Sequence, residues 1–213
     1  MAKLNRVEEN LFTPDWEIIT FSEPGKELGD NNPTYTLDPI NTPNIGPISI
    51  AFNGQFIGQN RSGNQLTDSD PAKPLELDPD SQGTFITRDG ANPTSPVLSG
   101  KPRFEGPISF SLSQPVDSVG FDAGFFDAAN STRIEAYNEA GEILGSVTNN
   151  ESDGVEFIGV SSPSDKISGI SVFTRGNEPA GYGIDNVAFG ISEISPGVTI
   201  NQTEGGIEVV EGG

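Results

Sequence analysis

The sequence predicts an all-β protein, an antiparallel β-sandwich of the jelly-roll type. Three observations carry that reading. Short segments with alternating apolar residues recur roughly every ten residues, which is the spacing of sandwich strands. Chain-breaking residues are abundant, 26 Gly and 17 Pro among 213 residues, so turns should be frequent and long helices absent. Thirteen Phe, with many Ile and Val, supply bulk for a core between two sheets although only 33% of the chain is apolar.

The elements follow in order. Residues 1–15 are polar and read as an N-terminal arm or linker. Residues 16–190 form the sandwich domain. Its first strand spans 16–21, where Trp16-Glu17-Ile18-Ile19-Thr20-Phe21 is an alternating, β-rich run that Ser22-Glu23-Pro24-Gly25 ends. Residues 26–47 are rich in Asn and Pro and read as a long surface loop. The next strand, 48–52, carries Ile48, Ile50 and Phe52 on one face. A second long loop covers 54–103, with one short strand inside it at 83–87. Clean alternation then returns at 107–112, 116–126, 132–137 and 142–148. The last two are joined by the turn Asn138-Glu139-Ala140-Gly141. Strands at 155–160, 167–174 and 182–189 complete a set of eight to ten, which suits a jelly roll. Residues 191–213 change character, and one strand plus an acidic Gly-rich stretch cannot bury a core of its own.

Charge and composition narrow the function. The net charge is −20, which repels phosphate backbones and anionic lipid surfaces, so neither nucleic acid nor membrane is an expected partner. No stretch is long and apolar enough to be a membrane span. The chain has no Cys and no His, which removes disulfides, zinc fingers, Cys–His nucleophiles and His bases. The acidity has two readings. One is solubility in salty water; the other is Ca²⁺ bound by clustered carboxylates, which are hard oxygen ligands.

Several residues are candidates for a site. Asp78, Asp80, Gly83 and Asp89 fall at the first, third, sixth and twelfth positions of an EF-hand calcium loop. Gln82 replaces the usual Asp or Asn, Asp89 replaces the bidentate Glu, and no helix flanks the loop. The competing reading is a turn opened by Asp78-Pro79. Asp122 and Asp127 bracket Gly124-Phe125-Phe126 and could be a glycosidase acid–base pair or calcium ligands. Otherwise Asp122 faces solvent and Asp127 caps a turn. Trp16 and Tyr182 precede the first and last strands, which often pair in sandwiches, and could form one sugar-stacking platform. As core or rim residues they would fill space, like Tyr35 and Tyr137.

The run from Ser118 through Phe121, Asp122, Gly124 and Asp127, followed by Ile134-Glu135-Ala136-Tyr137, Gly141-Glu142-Ile143-Leu144-Gly145 and Gly183-Ile184-Asp185-Asn186-Val187-Ala188-Phe189, resembles a group of bacterial extracellular jelly-roll domains. These occur in exported proteins of the PEP-CTERM type and in large adhesin-like proteins. The likeness covers about residues 104–190, and no PEP-CTERM sorting segment is present. The stretch from Val198-Thr199-Ile200 to Glu208-Val209-Val210 resembles the start of a Calx-beta-like repeat. In similar carbohydrate-binding jelly rolls, an Asp of the last strand helps hold a structural Ca²⁺ with an acid near the first strand. That implies Asp185 as a ligand, with Glu23 or Glu17 opposite. An Asp set between apolar neighbours is costly to bury unless paired or bound to metal.

Three functions therefore compete. The first is a non-catalytic extracellular module, stabilised by calcium, that binds a glycan or cell surface as one monomeric domain of a longer adhesin-like chain. The second is a calcium-stabilised spacer, which predicts internal repetition that the sequence lacks. The third is a carbohydrate-active enzyme using carboxylates. The long non-repeating loops favour the first.

Overall fold

The computed structural model describes residues 4–12, 18–38, 46–68, 70–190, 198–203 and 206–211. Among the described residues the strands are β1 (Asn5–Val7), β2 (Ile18–Ile19), β3 (Thr34–Leu37), β4 (Ile48–Asn53), β5 (Asn60–Ser62), β6 (Gln65–Asp68), β7 (Thr84–Arg88), β8 (Pro96–Gly100) and β9 (Ile108–Val116). They continue as β10 (Ser118–Phe126), β11 (Thr132–Tyr137), β12 (Ile143–Thr148), β13 (Gly154–Ser161), β14 (Ile167–Thr174), β15 (Gly183–Gly190), β16 (Val198–Thr203) and β17 (Gly206–Glu211). One 3-10 turn, Glu9–Leu11, is the sole helical element among them.

Two sheets face each other. The first has the order β1-β13-β10-β15-β8-β7, with β2 also paired to β15; the second has the order β12-β11-β14-β9-β4-β3. Their pairings are antiparallel. From β8 to β11, and again from β13 to β15, the chain alternates between sheets, which is the jelly-roll manner of closing a sandwich. The predicted fold class is the observed one. Every predicted strand is present, the first as the two residues of β2.

Five further strands lie where loops or an arm were expected. β1 falls in the polar arm, β3 in the loop 26–47, and β5, β6 and β8 in the loop 54–103. Each is short or mostly polar, so periodicity does not reveal it. Tertiary pairing makes them strands: β3 lies along β4 with Tyr35 opposite Ile50, and β8 lies along β7 with Leu98 opposite Ile86. The tail, read as one strand, pairs as two, with Val198 opposite Glu211.

Alternation along the strands sends one set of side chains inward. Val119, Phe121 and Ala123 of β10 meet Ile108, Phe110 and Leu112 of β9 in one continuous core. Aromatic rings run through it. Phe121 packs edge-on to Phe110 at 6.4 Å, Phe110 meets Phe52 at 5.2 Å, and Phe52 touches Phe21 at 5.5 Å and Tyr35 at 6.1 Å. Edge-to-face rings add to the burial term in such clusters.

The loop 54–83 covers part of the outer face of the second sheet. Phe56 is fully buried there against Tyr137, and Gln59 Nε2 donates to Tyr137 Oη at 3.1 Å and to Ser171 Oγ at 3.2 Å. Beneath it the Tyr137 hydroxyl is raised well above its ordinary range by burial and by the charge of Glu135.

Phe52 is fully buried and joins Phe21, in the turn after β2, to Tyr35 and Phe110 of the second sheet, so Phe52→Ala should lower unfolding free energy by about 3–5 kcal/mol. Urea unfolding with an unchanged m-value would measure it. A loss below about 1 kcal/mol would show that the sheets do not depend on this ring.

Candidate functional site

A cleft of about 270 Å³ opens on the outer face of the first sheet. Its acidic and amide lining is Asp89, Asn92, Asp122, Asp185 and Asn186. Gly124 and Gly183 lie under it, with Val97 and Val155 at its sides. Alternation puts Asp122 on the outer face, because Phe121 and Ala123 point to the core. A bulge does the same for β15. Asn186 adopts φ 50, so Asp185 and Asn186 both face out between the inward Ile184 and Val187. The left-handed conformation suits Asn better than most residues.

The glycines let the backbones approach. A Cβ on Gly124, whose φ is +154, would meet Gly154 O at 2.7 Å, and one on Gly183 would meet Val97 Cγ2 at 2.9 Å.

Internal hydrogen bonds fix the side chains. Asn186 N–H donates to Asp185 Oδ1 at 2.8 Å, and Asn92 Nδ2 donates to Asp185 Oδ2 at 2.8 Å. Asn186 Nδ2 donates to Asp122 Oδ2 at 2.6 Å. Ala91 N–H donates to Asp89 Oδ1 at 3.0 Å, which shapes the loop between β7 and β8. Asp185 is only 3% exposed. Burial first, and then the charge of Asp122, push its carboxyl up to about 6, against hydrogen bonds from Asn186, Ser95 and Asn92.

Behind the cleft, β8 and β2 pair with the same edge of β15 at different heights, Leu98 opposite Ile184 and Ile19 opposite Val187. Phe21, at φ 57, turns the chain away after β2. The turn brings Glu23 back so that its Oε1 accepts from Thr20 N–H at 2.6 Å. The Ser95 hydroxyl lies 3.3 Å from Thr20 O and within reach of Asp185, and donates its single proton to one or the other. Glu23 Oε2 and Tyr35 Oη are buried and have no hydrogen-bond partner among the described residues. The Tyr35 hydroxyl is raised by burial and then by the charges of Glu23, Asp30 and Asp185. Orphaned buried oxygens are rare and call for a bound water or ion.

The predicted site residues separate accordingly. Asp185 and Glu23 come into one connected network through Ser95 and Thr20. Asp89 joins Asp185 in the cleft instead of Asp78 and Asp80. The extended strand β7 stands between Asp80 and Asp89, while Asp78 Oδ1 accepts Asp80 N–H at 2.9 Å in a local turn. Among the described residues no three acidic side chains converge to hold a metal ion. Tyr182 is 1% exposed and its hydroxyl donates to Val172 O at 2.6 Å, so its ring closes the core rather than facing a groove. Trp16 and Glu17 lie outside the described residues. Asp127 accepts Ala180 N–H at 2.6 Å and belongs to a loop clasp with Glu178, away from Asp122. Asn92, Asn186 and Asp89 as cleft residues were not legible as a set, because they meet only through the bulge and the β7–β8 turn.

No protein-family model and no curated protein matches this chain. Among solved structures it is similar to the family 32 carbohydrate-binding module of C. perfringens NanJ in complex with galactose. That likeness has 13% identity over 67% of this chain and 92% of the other, at a TM-score of 0.31. It is also similar to the family 11 carbohydrate-binding module of Clostridium thermocellum in complex with a β-1,3-1,4-mixed-linked tetrasaccharide, with 11% identity over 90% and 98% of the two chains at a TM-score of 0.27. Such loose likenesses transfer no site. The chain is a jelly-roll β-sandwich by its own strand pairing.

The raised carboxyl has a signed consequence. Asp185 keeps its proton in the native state up to about 6, whereas the unperturbed value is 3.8. Between those values the native state binds more protons, so in metal-free buffer this group's contribution to stability grows as pH falls. Melting curves of wild type and Asp185→Asn in EDTA should therefore diverge in favour of wild type between about pH 7 and pH 5. Parallel curves would show that Asp185 is not perturbed.

Proposed function

We propose that this protein is a non-catalytic, extracellular glycan-binding module, stabilised by calcium and belonging to a longer adhesin-like secreted chain. The observation that carries the reading is the cleft over Gly124 and Gly183, with its fixed Asp and Asn side chains. Carboxylate and amide groups held in one geometry match the hydroxyls of a sugar, and a rigid sheet lowers the ordering cost of binding. Val155, half exposed at the side of the cleft, offers apolar surface to the C–H face of a ring.

Calcium fits the network behind the cleft. Asp185 and Glu23 would be its carboxylate ligands, and the orphaned Glu23 Oε2 supports such a role. The ion would add charge compensation for two part-buried acids. With only two carboxylates the site would be weak, in the range of about 10⁻⁴–10⁻³ M known for extracellular modules.

An enzyme is the second reading, favoured by one observation: a carboxyl raised to about 6 beside a second acid, Asp122. Against it, both oxygens of Asp185 already accept hydrogen bonds from the protein. A general acid must present its proton to the leaving oxygen, and this carboxyl is already engaged by Asn186 and Asn92 and is only 3% exposed.

Two measurements test the proposal. Millimolar Ca²⁺ added after EDTA should raise the melting temperature, and Glu23→Gln should abolish the rise. No response to Ca²⁺ would remove the metal. On a glycan array, wild type should bind neutral oligosaccharides, and Asp122→Ala should weaken that binding tenfold or more without lowering the melting temperature. Hydrolysis of a bound glycan would overturn the non-catalytic reading.

A further inference from the structure

A second cleft, of about 400 Å³, lies on the outer face of the other sheet, beyond the part that the loop 54–83 covers. It is lined by Asn130, Arg133, Ser146, Val147, Thr148 and Arg175. The chain has only 11 Lys and Arg against 31 Asp and Glu, so two arginines in one cleft concentrate a scarce charge. Most other described cations are engaged elsewhere. Arg6 pairs with Glu156, Lys73 with Glu142 and Lys166 with Asp117. Lys26, Arg61, Lys101 and Arg103 donate to neighbouring oxygens.

The cleft arginines differ. β11 places Arg133 and Glu135 two residues apart on one face, with Nε 2.7 Å from Glu135 Oε1. Glu135 is fully buried, and its other oxygen accepts from Tyr137 Oη at 2.8 Å. The contact is an ion pair without hydrogen-bond alignment, since neither Nε nor Oε1 has a hydrogen-bond partner among the described residues, and the terminal nitrogens of Arg133 have no protein partner among them either. Arg175 makes no side-chain hydrogen bond or ion pair among the described residues, while its backbone N–H holds Ser131 O at 2.6 Å. Thr148 Oγ1 donates to Asn130 Oδ1 at 2.7 Å, which uses the amide oxygen and leaves the Asn130 N–H groups as donors.

We propose that this cleft binds an oxyanion carried on a sugar, the carboxylate or sulfate group of an acidic glycan. Guanidinium forks match two oxygens of such a group in one plane. Asn130, Ser146 and Thr148 supply hydrogen bonds for adjoining hydroxyls. The charge of −20 does not forbid the site, because at physiological ionic strength the Debye length is about 8 Å and more distant carboxylates are screened. The site is independent of the cleft on the first sheet, whose lining offers acceptors and no cation.

Affinity electrophoresis of the whole protein through dextran, dextran sulfate and polygalacturonate tests the proposal. Wild type should be retarded by at least one of the two anionic polymers and not by dextran. Retardation by dextran sulfate alone identifies sulfate as the group, by polygalacturonate alone carboxylate, and by both an oxyanion in general. Arg175→Gln should weaken the interaction tenfold or more with an unchanged melting temperature. Arg88→Gln, which removes the same charge elsewhere, should leave it intact. Arg133 is a poorer probe, since its loss would strand the buried Glu135 charge. No retardation by either anionic polymer, or equal retardation of wild type and Arg175→Gln, would overturn the proposal, whatever the neutral glycan array shows.

Discussion

The bulge in β15 is the constraint on which the cleft of the first sheet depends. β15 sits inside the first sheet, with β10 on one edge and both β8 and β2 on the other. A regular strand with a period of two would turn Asp185 out and Asn186 in. The left-handed Asn186 turns both outward and restores Val187 to the core. The same irregularity appears across the pair, where the register between β10 and β15 shifts from Gly120 to Asp122. One inserted residue thus builds the wall of the cleft and offsets β2 from β8.

The aromatic core allows this irregularity. Phe21 holds a backbone conformation that is unfavourable for a bulky side chain, and such strain costs of order 1–3 kcal/mol. Its ring offsets that cost through contacts with Phe52 and Tyr35. The turn after β2 is therefore held from the inside. Glu23, which follows it, is placed by packing rather than by its own hydrogen bond alone. Packing and polar placement are one problem here, because the ring that fills the core also aims the loop.

Legibility in the sequence follows the same physics. Segments such as 107–112 and 167–174 are clear in the sequence, because their large apolar residues, Ile108, Phe110 and Leu112 in one and Ile170 and Val172 in the other, recur at every second position and enter the core. β3 and β8 were opaque. Thr34–Leu37 has one deeply buried residue, Tyr35, and Pro96–Gly100 opens on a proline. Asp185 was legible because an acid between Ile184 and Val187 breaks an apolar pattern. Its neighbours in the cleft were not, since Asn92 lies 93 positions away and meets it only through the β7–β8 turn. The spacing of Asp78, Asp80 and Asp89 looked like one loop, but a spacing pattern carries no information about the strand that runs through it.

The way acids are held on the two outer faces supports the proposed binding role over a catalytic one. On the first sheet each carboxylate is held by an amide or backbone N–H, so it accepts hydrogen bonds in a fixed direction and has little room to exchange a proton. On the second, Glu135 serves Arg133 and Tyr137 and is closed to solvent. A catalytic acid needs access and a proton path; a recognition surface needs rigid groups of defined polarity. The acids of this sandwich meet the second requirement. The two faces also differ in sign, one rich in acceptors and one holding the arginines. Under the two proposals, a single polymer with both neutral and acidic sugars would find a complementary surface on each side of the sheet pair.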